Sequence, residues 1–126
     1  MGEEFNATHT PEKVIVFDVD DTILKTQGRD FYNSKPIPEM VEAMVKLKNK
    51  GWKIVLHTSR GMGRSQGSIE LVRNDVLKEI QTCLSRHNIP YDELLLGKTW
   101  ATAYVDDKAM TPEYFLNKID SLILDS

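Results

Sequence analysis

The sequence predicts a small α/β domain with a mostly parallel, doubly wound sheet, and two observations support this fold class. Short apolar runs rich in β-branched residues alternate with longer stretches that have apolar residues at helical spacing, which is the pattern of repeated strand-helix-strand units. Helices between successive strands imply right-handed parallel crossovers. With 126 residues, 40% of them hydrophobic, the chain can bury one core and no second one. We therefore expect a single three-layer, Rossmann-like domain over residues 1–126.

The first strand is predicted from Val14 to Phe17, where four apolar residues follow one another without polar alternation. Such a run is typical of a strand that is buried on both faces. Residues 1–11 have no periodicity and are expected to form a loose arm. Residues 25–35 are polar with one aromatic pair, which indicates a flap loop beside the carboxyl end of the sheet.

The remaining elements follow from periodicity and from helix-ending residues. They are a helix after Pro36–Pro38 that ends at Gly51, a second strand at 52–57, a long helix across 69–84 that stops near Asn88, a third strand at 94–96, a fourth strand at 103–105 and a last helix from Thr111. Leu122–Leu124 could instead close the chain as a short edge strand.

Charge and cysteine content disfavour some functions, and the charge weakens a nucleic-acid role without excluding it. The net charge is −3 without a long run of like charge, so the chain lacks the basic surface of a general nucleic-acid binder. Cys83 is the single cysteine, which rules out an internal disulfide and favours a reducing compartment. No signal peptide or membrane-spanning apolar run is recognisable. We expect a cytoplasmic protein with no membrane partner.

Polar side chains follow each predicted strand where that strand ends. Ligands of open α/β sheets bind at the carboxyl ends of the strands, and oxygen ligands two residues apart can hold a divalent cation. Taken alone, an acidic turn or a lysine after a glycine is as well explained by solvated surface. The ordered set is more specific, and it consists of Asp18 with Asp20, Thr58, Lys98, and Asp106 with Asp107.

This set resembles the four motifs of the haloacid dehalogenase (HAD) superfamily in residue type, order and strand context, over residues 14–107. The first motif is the run of four hydrophobic residues followed by Asp-x-Asp-x-Thr-Ile. The resemblance implies a phosphatase in which Asp18 attacks phosphorus and forms an aspartyl phosphate. Asp20 would protonate the leaving oxygen and then act as base on the hydrolytic water.

The resemblance also implies roles for the other motifs. Thr58, together with backbone amides near Val19 and Asp20, would bind a phosphoryl oxygen, and Lys98 would hold Asp18 and the transferred group. Ser59 is a neighbouring hydroxyl, and only the family pattern favours Thr58 over it.

The implied cofactor is Mg²⁺, an ion that prefers oxygen ligands. Its ligands would be a carboxylate oxygen of Asp18, the backbone carbonyl of Asp20, and the acids of the fourth motif. The family's geometry favours Asp107 as the direct ligand, with Asp106 acting through water or orienting the lysine. The residues alone leave the order of that pair open.

The intervals between motifs leave no room for the cap domain that selects the substrate in larger members of the superfamily. Capless members either act on large substrates that seal the site themselves or oligomerise so that a neighbour covers it, so a homo-oligomer that covers the open site is one of two alternatives here. The stretches 58–62 and 97–109 also resemble small bacterial capsule-biosynthesis phosphatases. That likeness implies a phosphorylated sugar or polysaccharide precursor as substrate, with Arg60, Arg64 and Arg29 as further binding residues.

Two other functions stay open from the sequence. One is a 3′-phosphatase for nucleic-acid ends, which an uncapped site allows and the acidic balance disfavours. The other is a module that binds phosphate without turnover, which the intact set of catalytic residue types disfavours.

Overall fold

The computed structural model describes residues 13–62 and 69–124, and the side chains of 69–74 lie outside the description. Its elements, in chain order, are β1 (Val14–Phe17), β2 (Leu24–Lys25), a 3₁₀ turn (Phe31–Asn33), β3 (Lys35–Pro36), α1 (Pro38–Asn49), β4 (Lys53–His57), α2 (Ile69–Arg86), β5 (Glu93–Leu95) and α3 (Pro112–Leu124). The predicted arm at 1–11 lies outside the described residues.

Three strands form the central sheet in the order β1-β4-β5, and both pairings are parallel. The register places Val16 beside Val55 and Leu56 beside Leu94. Because the three strands are parallel, their carboxyl ends lie at one edge of the sheet. The predicted α/β, Rossmann-like fold is confirmed.

Helix α1 forms where the sequence predicted it. Pro38 occupies its first turn, where a missing N–H costs nothing, and Gly51 follows its end with φ of +85°, a conformation that favours glycine. The buried face comprises Met40, Ala43, Met44 and Leu47, whereas Val45 is 43% exposed.

Helix α2 also agrees with the predicted period within its described side chains. Val76, Ile80, Cys83 and Leu84 are buried. After Arg86 the chain turns with Asn88 at φ of +53°, and the amide of Ile89 donates to the carbonyl of Leu84 at 3.0 Å. This bond satisfies one of the carbonyls that a helix end leaves unpaired.

The prediction that β1 is buried on both faces is wrong. Phe17 is buried and packs edge-on against Phe115 of α3, with ring centroids 5.2 Å apart. On the other face Val14 is 38% and Val16 is 58% exposed. β1 is an edge strand of the described sheet, so one side of it lacks a neighbouring strand.

The predicted fourth strand at 103–105 is wrong as well. These residues join no ladder in the described sheet, and Val105 is fully exposed. The physical reason is that the run has only three residues, of which one is β-branched. So short a strand would form few ladder hydrogen bonds and bury little apolar area, which does not offset the conformational entropy lost on ordering it. The alternative edge strand at 122–124 is also wrong, because α3 continues to Leu124.

The predicted flap is a short hairpin rather than an open loop. β2 and β3 pair in antiparallel register, Leu24 with Pro36 and Lys25 with Lys35. Between the strands, the hydroxyls of Thr26 and Ser34 lie 2.6 Å apart. Residues 18–52 are all described, and they hold only this hairpin with its 3₁₀ turn, α1 and loops, so no cap is inserted after β1.

Asp92 fixes the start of β5 to its neighbours. Its carboxylate accepts a hydrogen bond from the Ile54 amide at 2.7 Å and pairs with Lys48 of α1, also at 2.7 Å. These partners lower the pKa of Asp92, with the Lys48 hydrogen bond as the largest cause.

Within the described ranges no helix is long and apolar enough to cross a bilayer.

Candidate active site

A tight turn follows β1 and carries the first two acids of the predicted site. The carbonyl of buried Val19 accepts hydrogen bonds from the amides of Thr22, Ile23 and Leu24, which closes the turn. Asp21 adopts φ of +64° within it, a conformation that aspartate tolerates better than most residues. The turn thereby fixes the backbone at Asp18 and Asp20.

Asp18 is partly buried and faces a single lysine. The Nζ of Lys98 lies 3.6 Å from its Oδ1, and the two side chains are 33% and 24% exposed respectively. Burial raises the pKa of Asp18 above its ordinary value, while Lys98 and the backbone amide of Val19 oppose that rise. A carboxylate stripped of part of its water is a better nucleophile than a fully solvated one.

Thr58 connects the ends of β4 and β5. Its amide donates to the carbonyl of Leu95 at 3.0 Å, and its own carbonyl accepts from the amide of Lys98 at 3.0 Å. This pairing continues the parallel ladder past the strand ends and delivers Lys98 to Asp18. The Thr58 side chain is buried, and its Oγ accepts the Arg60 amide at 3.0 Å. Its O–H therefore stays available to donate to an incoming oxygen.

Arg60 was predicted to contact the substrate, and in the structure its side chain is buried and paired with acids of the protein. Its side chain is only 2% exposed and binds the Asp20 carboxylate side-on, Nε to Oδ2 at 3.0 Å and Nη2 to Oδ1 at 2.6 Å. Its Nη1 reaches Glu79 of α2 at 3.3 Å. The Phe31 ring lies against the guanidinium, 4.7 Å from its central carbon. Three of its five N–H donors are thereby directed at carboxylate oxygens, and the side chain is almost fully removed from solvent.

The other four predicted binding residues lie in four different situations. Ser59 is half-buried beside Thr58, and Arg29 is exposed in the turn before Phe31. Arg64 lies outside the described residues. Val19 is fully buried in the turn after β1, and its backbone amide opposes the rise in the pKa of Asp18.

Asp106 and Asp107 are not brought to Asp18. Both are exposed, Asp106 accepts the amide of Lys108, and Asp107 pairs with the Lys108 side chain at 3.6 Å. Asp107 borders an open depression that Lys108, Met110 and Tyr114 also line, and Asp18 is not among its lining residues. In the described part of the chain no three His, Cys, Asp or Glu side chains are arranged to hold a metal ion.

The donor chemistry nevertheless suits Mg²⁺ at the strand ends. The Asp18 carboxylate is partly open to solvent, and the carbonyl of Asp20 is an oxygen ligand of the type this ion uses. For Asp106 and Asp107 only the sequence resemblance predicts a ligand role, because the described residues form no acidic cluster that joins them to Asp18.

Sequence reasoning missed two members of the site. The Tyr104 ring lies 4.2 Å from the Lys98 Nζ, a cation–π contact at the active end of the sheet. Glu79 approaches Arg60 from α2, and nothing in its local sequence distinguishes it from a solvated helix carboxylate. Only the packing of α2 over the loop after β4 makes it part of the site.

Comparison with known proteins supports the fold. No family model matches the chain, and no curated protein matches it. A crystal structure of a structural-genomics target from Vibrio cholerae superposes with a TM-score of 0.80 at 29% identity, covering 90% of this chain and 98% of that one.

A chain of the Pnkp1/Rnl/Hen1 complex matches with a TM-score of 0.53 at 26% identity. The match covers 89% of this chain but only 36% of that one. Both structural neighbours support the small, Rossmann-like α/β fold of this domain.

Proposed function

We propose that the protein is a phosphomonoester hydrolase that works through an aspartyl phosphate on Asp18. The observation that carries this proposal is the meeting of three strand ends. Asp18 follows β1 with Lys98 at 3.6 Å, and Thr58 holds Lys98 in place through the backbone bond between them. A nucleophile, a cation and a hydroxyl donor at adjacent strand ends are the groups that phosphoryl transfer requires.

The proposed reaction has two displacements at phosphorus. In the first, a carboxylate oxygen of Asp18 forms a bond to phosphorus while the ester P–O bond breaks, and Asp20 gives a proton to the departing alcohol. In the second, Asp20 takes a proton from water as that water attacks the aspartyl phosphate. Inorganic phosphate leaves and the Asp18 carboxylate is regenerated. Thr58 and Lys98 stabilise the phosphoryl oxygens in both steps.

We propose Mg²⁺ as the cofactor, held by Asp18, the carbonyl of Asp20 and the acids at 106–107. When bound, the ion would supply positive charge that offsets the charge of a phosphomonoester. This part of the proposal rests on the donor chemistry of those residues and on the sequence resemblance.

The proposed substrate is a small phosphorylated sugar or polysaccharide precursor. An uncapped site and the likeness of 58–62 and 97–109 to capsule-biosynthesis phosphatases support it. The second candidate substrate is the 3′-phosphate of a nucleic-acid end, and the 26% identity to a chain of the Pnkp1/Rnl/Hen1 complex supports it. The net charge of −3 favours the first candidate.

The test is a turnover screen with Mg²⁺ that includes sugar phosphates, an aryl phosphate and 3′-phosphorylated oligonucleotides. We expect Asp18→Asn to lose at least about 10³-fold in kcat. The matched control is Asp21→Asn, because Asp21 lies in the same turn, is exposed and pairs only loosely with Lys25 at 3.5 Å. Wild-type turnover in Asp18→Asn would refute the nucleophile, and a preference for oligonucleotides that weakens with salt would select the second candidate.

A further inference from the structure

The deepest ion pair of the candidate site involves a residue that none of the proposed chemical steps uses. Arg60 is 2% exposed, yet it lies between two carboxylates, Asp20 from the turn after β1 and Glu79 from α2. A buried guanidinium has a large desolvation cost unless its donors are satisfied. Here three of its donors are satisfied by carboxylate oxygens at 2.6 to 3.3 Å.

The geometry points to Arg60 as a positioning residue that holds Asp20 for proton transfer. This inference rests on the proposed function and assigns Arg60 a role in it. A side-on pair fixes the plane of a carboxylate as well as its distance, because two parallel hydrogen bonds leave no rotation about the Cβ–Cγ axis. A single ammonium group in the same place would hold the charge and leave the plane free.

The Arg60 side chain is itself held from three directions. Its amide is bound to Thr58 Oγ, so its backbone is tied to the end of β4. The Glu79 carboxylate accepts a hydrogen bond from Nη1, on the side of the guanidinium opposite Asp20. The Phe31 ring, in the 3₁₀ turn of the hairpin, covers one face of the guanidinium at 4.7 Å.

The 3₁₀ turn of the hairpin is bound to α2 by contacts from Cys83 and Arg86. The Cys83 thiol lies 3.1 Å from the carbonyl of Phe31, and Arg86 donates to the carbonyl of Tyr32 at 2.5 Å. The segment that carries Phe31 is therefore bound to α2, and its contact with Arg60 does not come from an unanchored loop. Through it, the hairpin that borders the site supports the orientation of Asp20.

A positioning role predicts a dependence on the leaving group that a purely structural role does not. An alcohol that departs as an alkoxide needs the proton from Asp20, whereas dinitrophenolate is stable enough to leave without one. We would compare kcat/KM for an alkyl phosphate and for 2,4-dinitrophenyl phosphate with Mg²⁺, because kcat/KM reports the steps up to the first irreversible one. For Arg60→Lys we expect a loss on the order of 10²-fold with the alkyl ester and less than about 10-fold with the dinitrophenyl ester.

A double variant separates an effect through Asp20 from an effect on the substrate. If Arg60 acts through Asp20, the pair Arg60→Lys with Asp20→Asn should be no slower on the alkyl ester than Asp20→Asn alone. The positioning role would be overturned if the two single losses multiplied in the double variant on the alkyl ester. It would also be overturned if Arg60→Lys lost equally with both esters and raised KM. Asp21→Asn is the matched control, because Asp21 lies in the same turn as Asp20, is exposed and pairs with Lys25 at 3.5 Å, and its ratio between the two esters should stay at the wild-type value.

The remaining outcomes are also decisive. If Arg60→Lys does not fold, Phe31→Leu still tests the inference, since it keeps both charges and removes only the ring; we expect the alkyl ester to lose about threefold relative to the dinitrophenyl ester. An unchanged ratio in that variant would overturn the inference. A wild-type protein inactive on both esters would refute the proposed function itself, whereas an active one with equal losses in the variant would refute the positioning role alone.

Discussion

The Asp18–Lys98 pair should be measurable as a coupling energy in the folded protein, before any substrate is known. The perturbations are Asp18→Asn, Lys98→Met and the two combined. Each single change leaves one charge without its partner, and the double-mutant cycle isolates the interaction between them. Asparagine and methionine keep the approximate volume of the side chains they replace.

The expected magnitude follows from the distance and the exposure. At 3.6 Å, two unit charges attract by about 4.6 kcal/mol at an effective dielectric constant of about 20. The side chains are 33% and 24% exposed, so water screens part of this attraction, and exposed ion pairs contribute no more than about 1 kcal/mol. We expect a coupling energy between these limits, about 1 to 2 kcal/mol.

The assay is urea unfolding of the four proteins at neutral pH with a chelator present, so that no divalent cation occupies Asp18. The matched control is the same cycle on Asp107 and Lys108, whose charged atoms are also 3.6 Å apart but whose side chains are 87% and 77% exposed. We expect no resolvable coupling there. A coupling below about 0.3 kcal/mol for Asp18 and Lys98 would refute the claim that the strand ends bring them together.

Three further outcomes are expected. Asp92→Asn should lower the free energy of unfolding by about 1 kcal/mol at neutral pH, a value reduced for its 35% exposure. Because the pKa of Asp92 is lowered in the fold, its contribution is present above the ordinary carboxyl pKa of about 3.9 and is lost as the pH falls through the lower folded value. Urea titrations should therefore show the difference disappearing in acid, and a constant difference would contradict the assignment. Phe115→Ala should cost about 3 to 4 kcal/mol in thermal or urea unfolding, because it opens a cavity against Phe17. Asp107→Asn should leave stability unchanged, since the side chain is exposed, and should raise the Mg²⁺ concentration for half-maximal turnover about 10-fold; an unchanged Mg²⁺ requirement would remove Asp107 from the proposed ligands.

The parts of the fold that the sequence predicted are those in which local pattern and burial agree. In α1, Met40, Met44 and Leu47 recur at helical spacing and all three are buried. The ends of β1, β4 and β5 converge because parallel strands must present their carboxyl ends together. That is why Asp18 and Lys98 could be placed side by side from the sequence.

The parts that could not be predicted depend on neighbours that local pattern does not specify. Val14–Phe17 has the composition of a central strand, but burial depends on what covers each face, and one face of β1 carries Val16 at 58% exposure. The run at 103–105 has the same apolar character with one residue fewer and no ladder in the described sheet. Three residues are too few for propensity to decide between an edge strand and an exposed segment.

Arg60 shows the same limitation for the site. An arginine after Thr58 in a polar loop has the local sequence of a solvent-facing cation, and it was predicted to contact the substrate. Its burial follows from two acids far away in the chain, Asp20 and Glu79, which neutralise it from opposite sides. A buried charge needs such partners, and which acids supply them is a property of the packing between α2 and the turn after β1.

The charges at the strand ends give a physical reason for an external cation in the proposed reaction. Lys98 and Arg60 are the two cations of this cluster, and both are already paired with its acids, Asp18, Asp20 and Glu79. A phosphomonoester dianion would add two negative charges that these paired cations do not offset. Because like charges at such distances repel by several kcal/mol, binding and attack require positive charge from outside these five side chains. A divalent ion at Asp18 would cancel the charge that the substrate brings, which ties the proposed Mg²⁺ requirement to the arrangement of the site as well as to a family resemblance.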